Sequence, residues 1–449
     1  MFADLPIADQ LEALFDEFST PGPLMTGSGD VVLGEAVLRS HRLTVVAFDY
    51  AKQHGSIGRV EARQITDAVW YAVQTRLPLV FVVNTSGMRV TDGMHTVAAL
   101  RSLLRALLDA RLGGLRMFAL VTRHAFGGAS MISALCEKRI VNADSLIAMS
   151  GPKLIESIAG KASFDASHRA AVRSLIGGAA RAEADEGTLL CEDSEDAYRR
   201  ALLQCLAERT NPLRSADIAG DTLDSLWQRL GPRIQPPPTL VSPGAFDAPV
   251  ARVLRAVLPA GCIAMRSGQT VFAFDAHCRD GDALTGWRGL GARSSPANDL
   301  PGARTLVAGF VDGHPATAPG AAALAKGLKL IAEGNGPRTL TILADTENHS
   351  ADPDDERVFL SRYMAMLALV LRSFHRAGYQ VHLIVTGVSG GGIFAALAAG
   401  ASRVSMLPGA RIQVLSPAAL AAIGKASDPA TETLAAALAA GAVDASFDC

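Results

Sequence analysis

The sequence lacks the compositional signs of several protein classes. Its 449 residues carry 42 Lys and Arg against 44 Asp and Glu, a formal net charge of −2, so no basic surface for nucleic acid is expected. No apolar run reaches the length of a membrane span, and the first ten residues lack the basic start of a signal peptide. We therefore predict a cytoplasmic protein that binds neither nucleic acid nor membrane.

Metal and nucleophile motifs are also scarce. The 6 cysteines form no CxxC pair, which argues against a zinc ribbon or a disulfide framework and predicts reduced thiols. The spacings HExxH and GxxxxGK[ST] are absent, as is GxGxxG after the first strand, and no nucleophile elbow is predicted. No metal site is expected, and the chemistry has to be sought elsewhere.

One stretch has the pattern of a ligand-binding turn. An apolar run of strand length, residues 115–122, precedes Gly127 and Gly128, and a helix-forming run follows from Ser130. Amide N–H groups at a helix start have no partner within the helix, and glycines leave them accessible to a ligand oxygen. The pattern predicts a site for an anion or for the oxygen of a thioester that becomes an enolate, with an ordinary tight turn as the alternative.

The same pattern occurs again in the C-terminal half, where Gly390 and Gly391 follow an apolar run and open an Ala-rich helix. Asn84 and Asp345, which follow matching strands upstream, are separated by 261 residues, and Val121 and Val385, which precede the two glycine turns, by 264. Nearly constant offsets indicate a duplicated domain and not a solenoid, whose units recur every few tens of residues.

The predicted fold class is α/β, with two domains in tandem. Continuous apolar runs followed by turns and helices are typical of parallel sheets covered by helices. Three successive prolines favour an extended connector, which gives an N-terminal domain over 1–230, a Pro-rich linker over 231–245 and a C-terminal domain over 246–449. Residues 279–300, rich in Gly, Asp, Ser and Asn, are predicted to be a loop.

Further candidates lie where α/β sheets place their ligands, at the carboxyl ends of strands. Arg89 is either a solvated helix-start residue or a contact for a phosphate or carboxylate. His124 is either structural or an acid/base group, and Lys153 is either half of a helical pair with Glu156 or a ligand contact. The predicted substrate-binding residues are Ser86, Gly87, Met88, Arg89, Phe126, Ser150, Gly151, Pro152, Lys153 and Ser389.

Two Gly-rich helix starts suit a reaction that develops negative charge on a substrate oxygen, such as enolate formation beside a thioester. One oxyanion donor contributes roughly 3–4 kcal/mol, so paired backbone donors supply much of the catalysis without a nucleophile. The predicted catalytic residues are therefore Gly127, Gly128, Gly390 and Gly391.

At these motifs the chain resembles the carboxyltransferase branch of the crotonase superfamily and, within it, biotin-independent malonate decarboxylases with fused beta and gamma subunits. Over residues 30–210 the resemblance rests on the motifs at 55–61, 86–89, 126–128, 150–156 and 162–170. Residues 270–425 resemble the gamma subunit more loosely, where the family's Asp-Thr-Pro-Gly is here Asp345-Thr346-Glu347-Asn348.

The resemblance implies a ββα-superhelix in each half, with the active site between the halves, and decarboxylation of a malonyl thioester to an acetyl thioester and CO2. Gly127 and Gly128 correspond to the oxyanion hole for the thioester carbonyl. Gly390 and Gly391 correspond to a second hole, which in biotin-dependent relatives faces the ureido group.

The resemblance also implies an acyl carrier protein and an acyltransferase subunit as partners. The substrate would be carried on the prosthetic group of the carrier protein or on CoA, with no tightly bound cofactor and no biotin. A homo-oligomer stays open. The alternatives are a biotin-dependent acyl-CoA carboxyltransferase, whose biotin must come from a partner because the chain has no Met-Lys-Met motif, and a non-catalytic scaffold of the same fold in a carrier-protein complex.

Overall fold

A computed structural model describes residues 1–24, 29–208, 215–235, 239–258, 262–274, 305–332, 339–426 and 428–448. The predicted loop over 279–300 and the three linker prolines lie outside the described residues. Among the helices of the described part, none combines the length and hydropathy needed to cross a membrane.

The structure is α/β, as predicted. The helices of the described part are α1 Ile7–Leu14, α2 Arg59–Thr75, α3 Met94–Leu112, α4 Gly128–Leu135, α5 Pro152–Ala159, α6 Arg169–Ile176, α7 Gly178–Ala184, α8 Glu195–Ala207, α9 Ser215–Leu230, α10 Ala248–Val257, α11 Ala318–Ala332, α12 Pro353–Arg357, α13 Leu360–Arg376, α14 Gly391–Gly400, α15 Pro417–Ala422 and α16 Leu434–Ala440.

The strands form two sheets, one in each half of the chain. The first sheet contains β1 Glu17–Ser19, β2 Val31–Leu38, β3 His41–Phe48, β4 Leu79–Thr85, β5 Met117–Phe126, β6 Lys138–Val141, β7 Leu146–Ala148 and β8 Thr188–Leu190. The second contains β9 Thr239–Val241, β10 Ile263–Ser267, β11 Thr270–Phe274, β12 Thr305–Gly313, β13 Thr339–Thr346, β14 Gln380–Gly390, β15 Arg403–Met406, β16 Arg411–Gln413 and β17 Ala445–Ser446.

The two sheets have the same plan. In the first, the order is β1-β2-β3-β4-β5-β6-β8, with β7 also paired to β5; β1 to β3 are antiparallel and the strands from β3 onward are parallel. In the second, the order is β17-β15-β14-β13-β12-β11-β10-β9, with β16 also paired to β14; β9 to β12 are antiparallel and the rest parallel. The duplicated pattern of the sequence thus corresponds to a duplicated sheet.

Strands β4 and β5 form the centre of the first sheet. Their apolar side chains are buried on both faces, which explains the continuous apolar runs. Because both strands are parallel, the loops after them emerge at the same edge of the sheet, where α/β proteins bind their ligands.

Two compact units differ in outline from the predicted domains. Unit 1 comprises Met1–Ser215, Ala351–Ala365 and Pro417–Ala426, and unit 2 comprises Ala216–Ser350, Met366–Ser416 and Ser427–Cys449. Two segments of the C-terminal half therefore belong to unit 1. The two units therefore cannot be described as two continuous stretches of sequence. Both segments belong to the unit that contains the first sheet, although they lie in the C-terminal half of the chain.

The N-terminal lead-in combines a helix with an edge strand. Residues 11–18 have helical hydrophobic spacing, but α1 ends at Leu14 and β1 follows, with Glu17 opposite Val37 of β2. Phe15 leaves the helix with φ −121°, and Phe15 and Phe18 contribute to the core beneath the sheet edge. Strand pairing at this edge outweighs the local helical periodicity.

Candidate active site

The first glycine turn (residues 126–128) joins β5 to α4. Gly127 has φ 56°, a backbone conformation that favours glycine, and its N–H donates to Ala148 O at 3.0 Å. The Gly127 N–H is therefore not free to donate to a ligand oxygen, which removes it from the predicted pair of amides. Gly128 is the first residue of α4, where an N–H has no acceptor within the helix.

A second amide lies beside this turn, in the loop after β4. Ile57 N donates to Gly87 O and Arg89 N donates to Ile57 O, both at 2.8 Å, so the Met88 N–H between them points away from Ile57. A Cβ on Gly128 would lie 2.9 Å from Met88 Cγ, which places the Met88 side chain directly against the helix start. The amides of Met88 and Gly128, not those of two adjacent glycines, are the candidate oxyanion donors of unit 1.

The glycine at 87 permits this approach. It has φ 99°, and a Cβ there would lie 2.6 Å from Phe126 O. Met88 is among the predicted substrate-binding residues, but no role was predicted for its amide. The sequence feature that could have identified this donor is the Gly87-Met88 pair after a parallel strand. A glycine directly before the Met88 amide lets the loop approach the glycine turn closely.

Arg89 is a structural residue and not a free cation. Its guanidinium lies 3.3 Å from Asp30 Oδ2 and 3.3 Å from Glu61 Oε2, and it donates to Ser56 Oγ at 3.2 Å. These contacts tie the loop after β4 to the start of α2. Neither predicted role of Arg89, a solvated residue or a ligand contact, describes these protein contacts. Ser86, in the same loop, is exposed.

His124 belongs to a cluster of rings at the carboxyl ends of the strands. Its ring centroid lies 5.5 Å from that of Phe126, in a stacked arrangement, and 5.8 Å from that of Tyr50, which also packs on His54. Burial, with a smaller contribution from the charge of Arg123, lowers the pKa of His124. A lowered pKa favours the neutral imidazole, which is a weak acid for protonating an enolate.

A buried carboxylate holds the segment after β7. Ser150 N donates to Glu356 Oε1 at 2.7 Å, and the Arg181 guanidinium lies 3.6 Å from Glu356 Oε2, with both charged side chains 0% exposed. Arg181 Nε also donates to Ile147 O at 2.7 Å. The pair therefore fixes the strand end whose Ala148 carbonyl accepts the N–H of the first glycine turn.

The next residues begin α5. Gly151 is the N-cap and Pro152 the first helical residue, as expected from the preference for proline at that position. Lys153 is exposed, and Glu156, its expected helical partner, accepts a hydrogen bond from Ala166 N at 2.7 Å. Lys153 is thus exposed and Glu156 is half-buried, whereas Ser150 is buried.

The buried state of Glu356 gives a pH prediction. Burial raises the pKa of its carboxyl above the ordinary value of 4.5, against the opposing charge of Arg181. The folded protein then binds this proton more tightly than the unfolded chain, so the stability contributed by the group is lost as the pH rises above 4.5. The free energy of unfolding of the wild type minus that of Glu356→Gln, measured by urea denaturation, is expected to fall from pH 4.5 towards neutral. A difference that rises over this range would contradict the assignment.

The second glycine turn (residues 390–392) joins β14 to α14 in unit 2. Gly391 has φ 55°, nearly the 56° of Gly127, and each lies at the same place in the register of its strand against the neighbouring strand. The counterparts of Gly127 and Gly128 are thus Gly391 and Gly392. The predicted pair of Gly390 and Gly391 is one residue too early, because Gly390 is still the last residue of β14.

Ser389 does not lie on this turn. Residues 387–391 have the GxSxG spacing, but Ser389 is within β14, 0% exposed, and pairs with Thr346 on one side and Ile412 on the other. A nucleophile elbow exposes its serine on the turn itself. The structure therefore places Ser389 in the core and not in contact with a substrate.

The loop after β13 differs from its counterpart after β4. Asp345 Oδ1 accepts a hydrogen bond from Val388 N at 3.2 Å, and burial raises the pKa of this carboxyl. Thr346 Oγ1 donates to Asn348 O at 2.8 Å. His349 bridges to Ala316 as Met88 bridges to Ile57, but its N–H donates to the Asn348 side chain, Oδ1, at 2.8 Å.

Part of unit 1 matches a known protein family. Residues 15–180 match the family model described as the carboxyl transferase domain. The matched stretch contains β1 to β7, the first glycine turn and the loop after β4, and it covers less than half of the chain.

Curated relatives match the same part of the chain. The acetyl-coenzyme A carboxylase carboxyl transferase subunit beta of Pelobacter propionicus is 29% identical over 132 residues, which are 29% of this chain and 46% of that protein. The subunits beta/alpha protein of Salinispora arenicola is 25% identical over 132 residues, 29% of this chain and 23% of the relative. The chain spans less than half the length of these relatives.

Solved structures with a related fold include two kinds of enzyme. A Pseudomonas malonate decarboxylase hetero-tetramer in complex with malonate gives a TM-score of 0.42 at 23% identity, over 46% of this chain and 83% of the other. Transcarboxylase 12S with hydrolysed methylmalonyl-coenzyme A gives 0.40 at 18% identity, over 100% of this chain and 87% of the other.

Proposed function

We propose that this chain decarboxylates a malonyl thioester, carried on an acyl carrier protein or on CoA, to an acetyl thioester and CO2. The observation that carries the proposal is the adjacency of the Met88 loop and the Gly128 helix start at the carboxyl ends of β4 and β5, inside the carboxyl transferase domain.

The chemistry follows from where these amides can donate. A thioester oxygen that accepts from the Met88 and Gly128 N–H groups becomes more negative as the bond to the carboxylate breaks, and backbone dipoles held in place stabilise this charge. CO2 leaves and the enolate is then protonated. The lowered pKa of His124 makes it a poor donor of this proton at neutral pH.

The test is direct. Purified protein is incubated with malonyl-CoA and with malonyl-loaded carrier protein, with and without free biotin, and the CO2 and acetyl thioester formed are measured. We expect equal amounts of both products without biotin. Methylmalonyl and longer carboxyacyl thioesters in the same assay define the acyl preference, and addition of an acyltransferase subunit tests the proposed partner.

A biotin-dependent carboxyltransferase is the second candidate, favoured by the acetyl-coenzyme A carboxylase relatives. It predicts that carboxyl loss from the thioester requires biotin. A non-catalytic scaffold predicts thioester binding without turnover under either condition. The assays with and without biotin, together with a measurement of thioester binding, therefore distinguish the decarboxylase, the biotin-dependent carboxyltransferase and the scaffold.

A further inference from the structure

The second glycine turn is occupied by a side chain of its own unit. Asn348 is 5% exposed, and its Oδ1 accepts the His349 N–H at 2.8 Å. A Cβ built on Gly391 would lie only 1.9 Å from the same Oδ1 and 2.8 Å from Asn348 Cγ. The amide oxygen of Asn348 therefore rests against the glycine of the turn.

The equivalent position in unit 1 has no side chain. His349 and Met88 form the same kind of bridge to the preceding loop, so the residue before each is also equivalent: Asn348 in unit 2 and Gly87 in unit 1. The Met88 amide is next to a glycine, whereas the His349 amide is next to a carbonyl group that it already binds. One turn is built to receive an oxygen, and the other contains one.

We propose that Asn348 closes the second glycine turn to a carbonyl ligand, because its own Oδ1 lies where such a ligand would accept the His349 N–H. The inference adds to the proposed function, in which no biotin takes part. A cyclic urea such as that of biotin then lacks the His349 N–H as a donor at this turn.

Two substitutions separate the side-chain oxygen from the rest of the residue. Asn348→Ala removes the amide group, and the φ of Asn348 is not positive, so alanine fits the backbone. Asn348→Asp keeps an oxygen at the Oδ1 position and serves as the matched control. Asn348→Gly, which copies Gly87, is a second opening variant should the alanine variant fold poorly.

The probes are imidazolidin-2-one and free biotin, whose binding is measured by calorimetry independently of catalysis. We expect the alanine or glycine variant to bind both probes at least tenfold more tightly than the wild type and Asn348→Asp.

Failure of the role of Asn348 and failure of the proposed decarboxylation give different results. If the opened variant is folded, as judged by circular dichroism, and binds the probes no better than the wild type, the role of Asn348 is wrong. If the opened variant gains probe binding but the wild type releases no CO2 from any malonyl thioester, the proposed decarboxylation is wrong and the closure of the turn stands.

Discussion

Replacing Gly128 with valine is expected to lower the turnover of a malonyl thioester by about 10²–10³-fold, the effect of losing one oxyanion donor. A Cβ at this position would lie 2.9 Å from Met88 Cγ and 3.0 Å from Leu100 Cδ1. Leu100 is buried in α3 and has little room to move, so Met88 must shift. The substitution therefore disturbs both candidate donors, the amide of residue 128 and that of its neighbour.

A control is needed for the effect of adding a side chain in a tightly packed place without disturbing the amides of Met88 and residue 128. Gly34→Ala provides the control, because its Cβ would lie 2.4 Å from the Phe18 ring on the far edge of the same sheet. The turnover of its folded fraction should stay at the wild-type value. Gly128→Ala should give an intermediate loss, since alanine displaces Met88 less than valine does. Turnover within tenfold of wild type for folded Gly128→Val would remove the turn from the mechanism.

Replacing Arg181 with methionine is expected to cost about 3–5 kcal/mol of unfolding free energy, because the buried Glu356 carboxyl loses its opposite charge and must take up a proton or stay ionised without a partner. Both side chains are 0% exposed. The guanidinium also packs over the Phe359 ring at 4.8 Å and donates to the Ile147 carbonyl. Urea denaturation at neutral pH, followed by circular dichroism, measures the loss.

An exposed ion pair supplies the comparison. Arg173 lies 2.6 Å from Asp144, with side chains 49% and 32% exposed, and Arg173→Met should cost no more than about 1 kcal/mol. The double variant Arg181→Met/Glu356→Gln should regain part of the loss, since no unpaired charge remains. Equal effects of the Arg173 and Arg181 substitutions would show that the buried pair does not hold unit 1 together.

Several features could be read from the sequence because they depend on local pattern. The apolar runs of β4 and β5, the glycines that follow them and the proline that starts α5 each specify their own backbone conformation. The repeat offset indicated two similar sheets, and the structure contains them. A glycine turn was predicted after each of these strands, and each turn contains a glycine with positive φ.

Other features depend on residues far apart in the chain. The sequence placed the second turn one residue too early, because three successive glycines give no local sign of where β14 ends. It predicted that Arg89 is solvated or binds a ligand, whereas three partners at 30, 56 and 61 give it a structural role. It assigned a role to the Gly127 amide, which pairs instead with β7.

The sequence by itself determined the α/β class, the duplication and the positions at which strands end in glycine turns, since these follow from hydrophobic period and backbone conformational preference. Only the tertiary structure decided which amides are accessible. An N–H is available or occupied according to the carbonyl that packs beside it: Ala148 for Gly127, and the Asn348 side chain for His349. Such partners are set by the pairing of strands and loops, which no single stretch of sequence encodes.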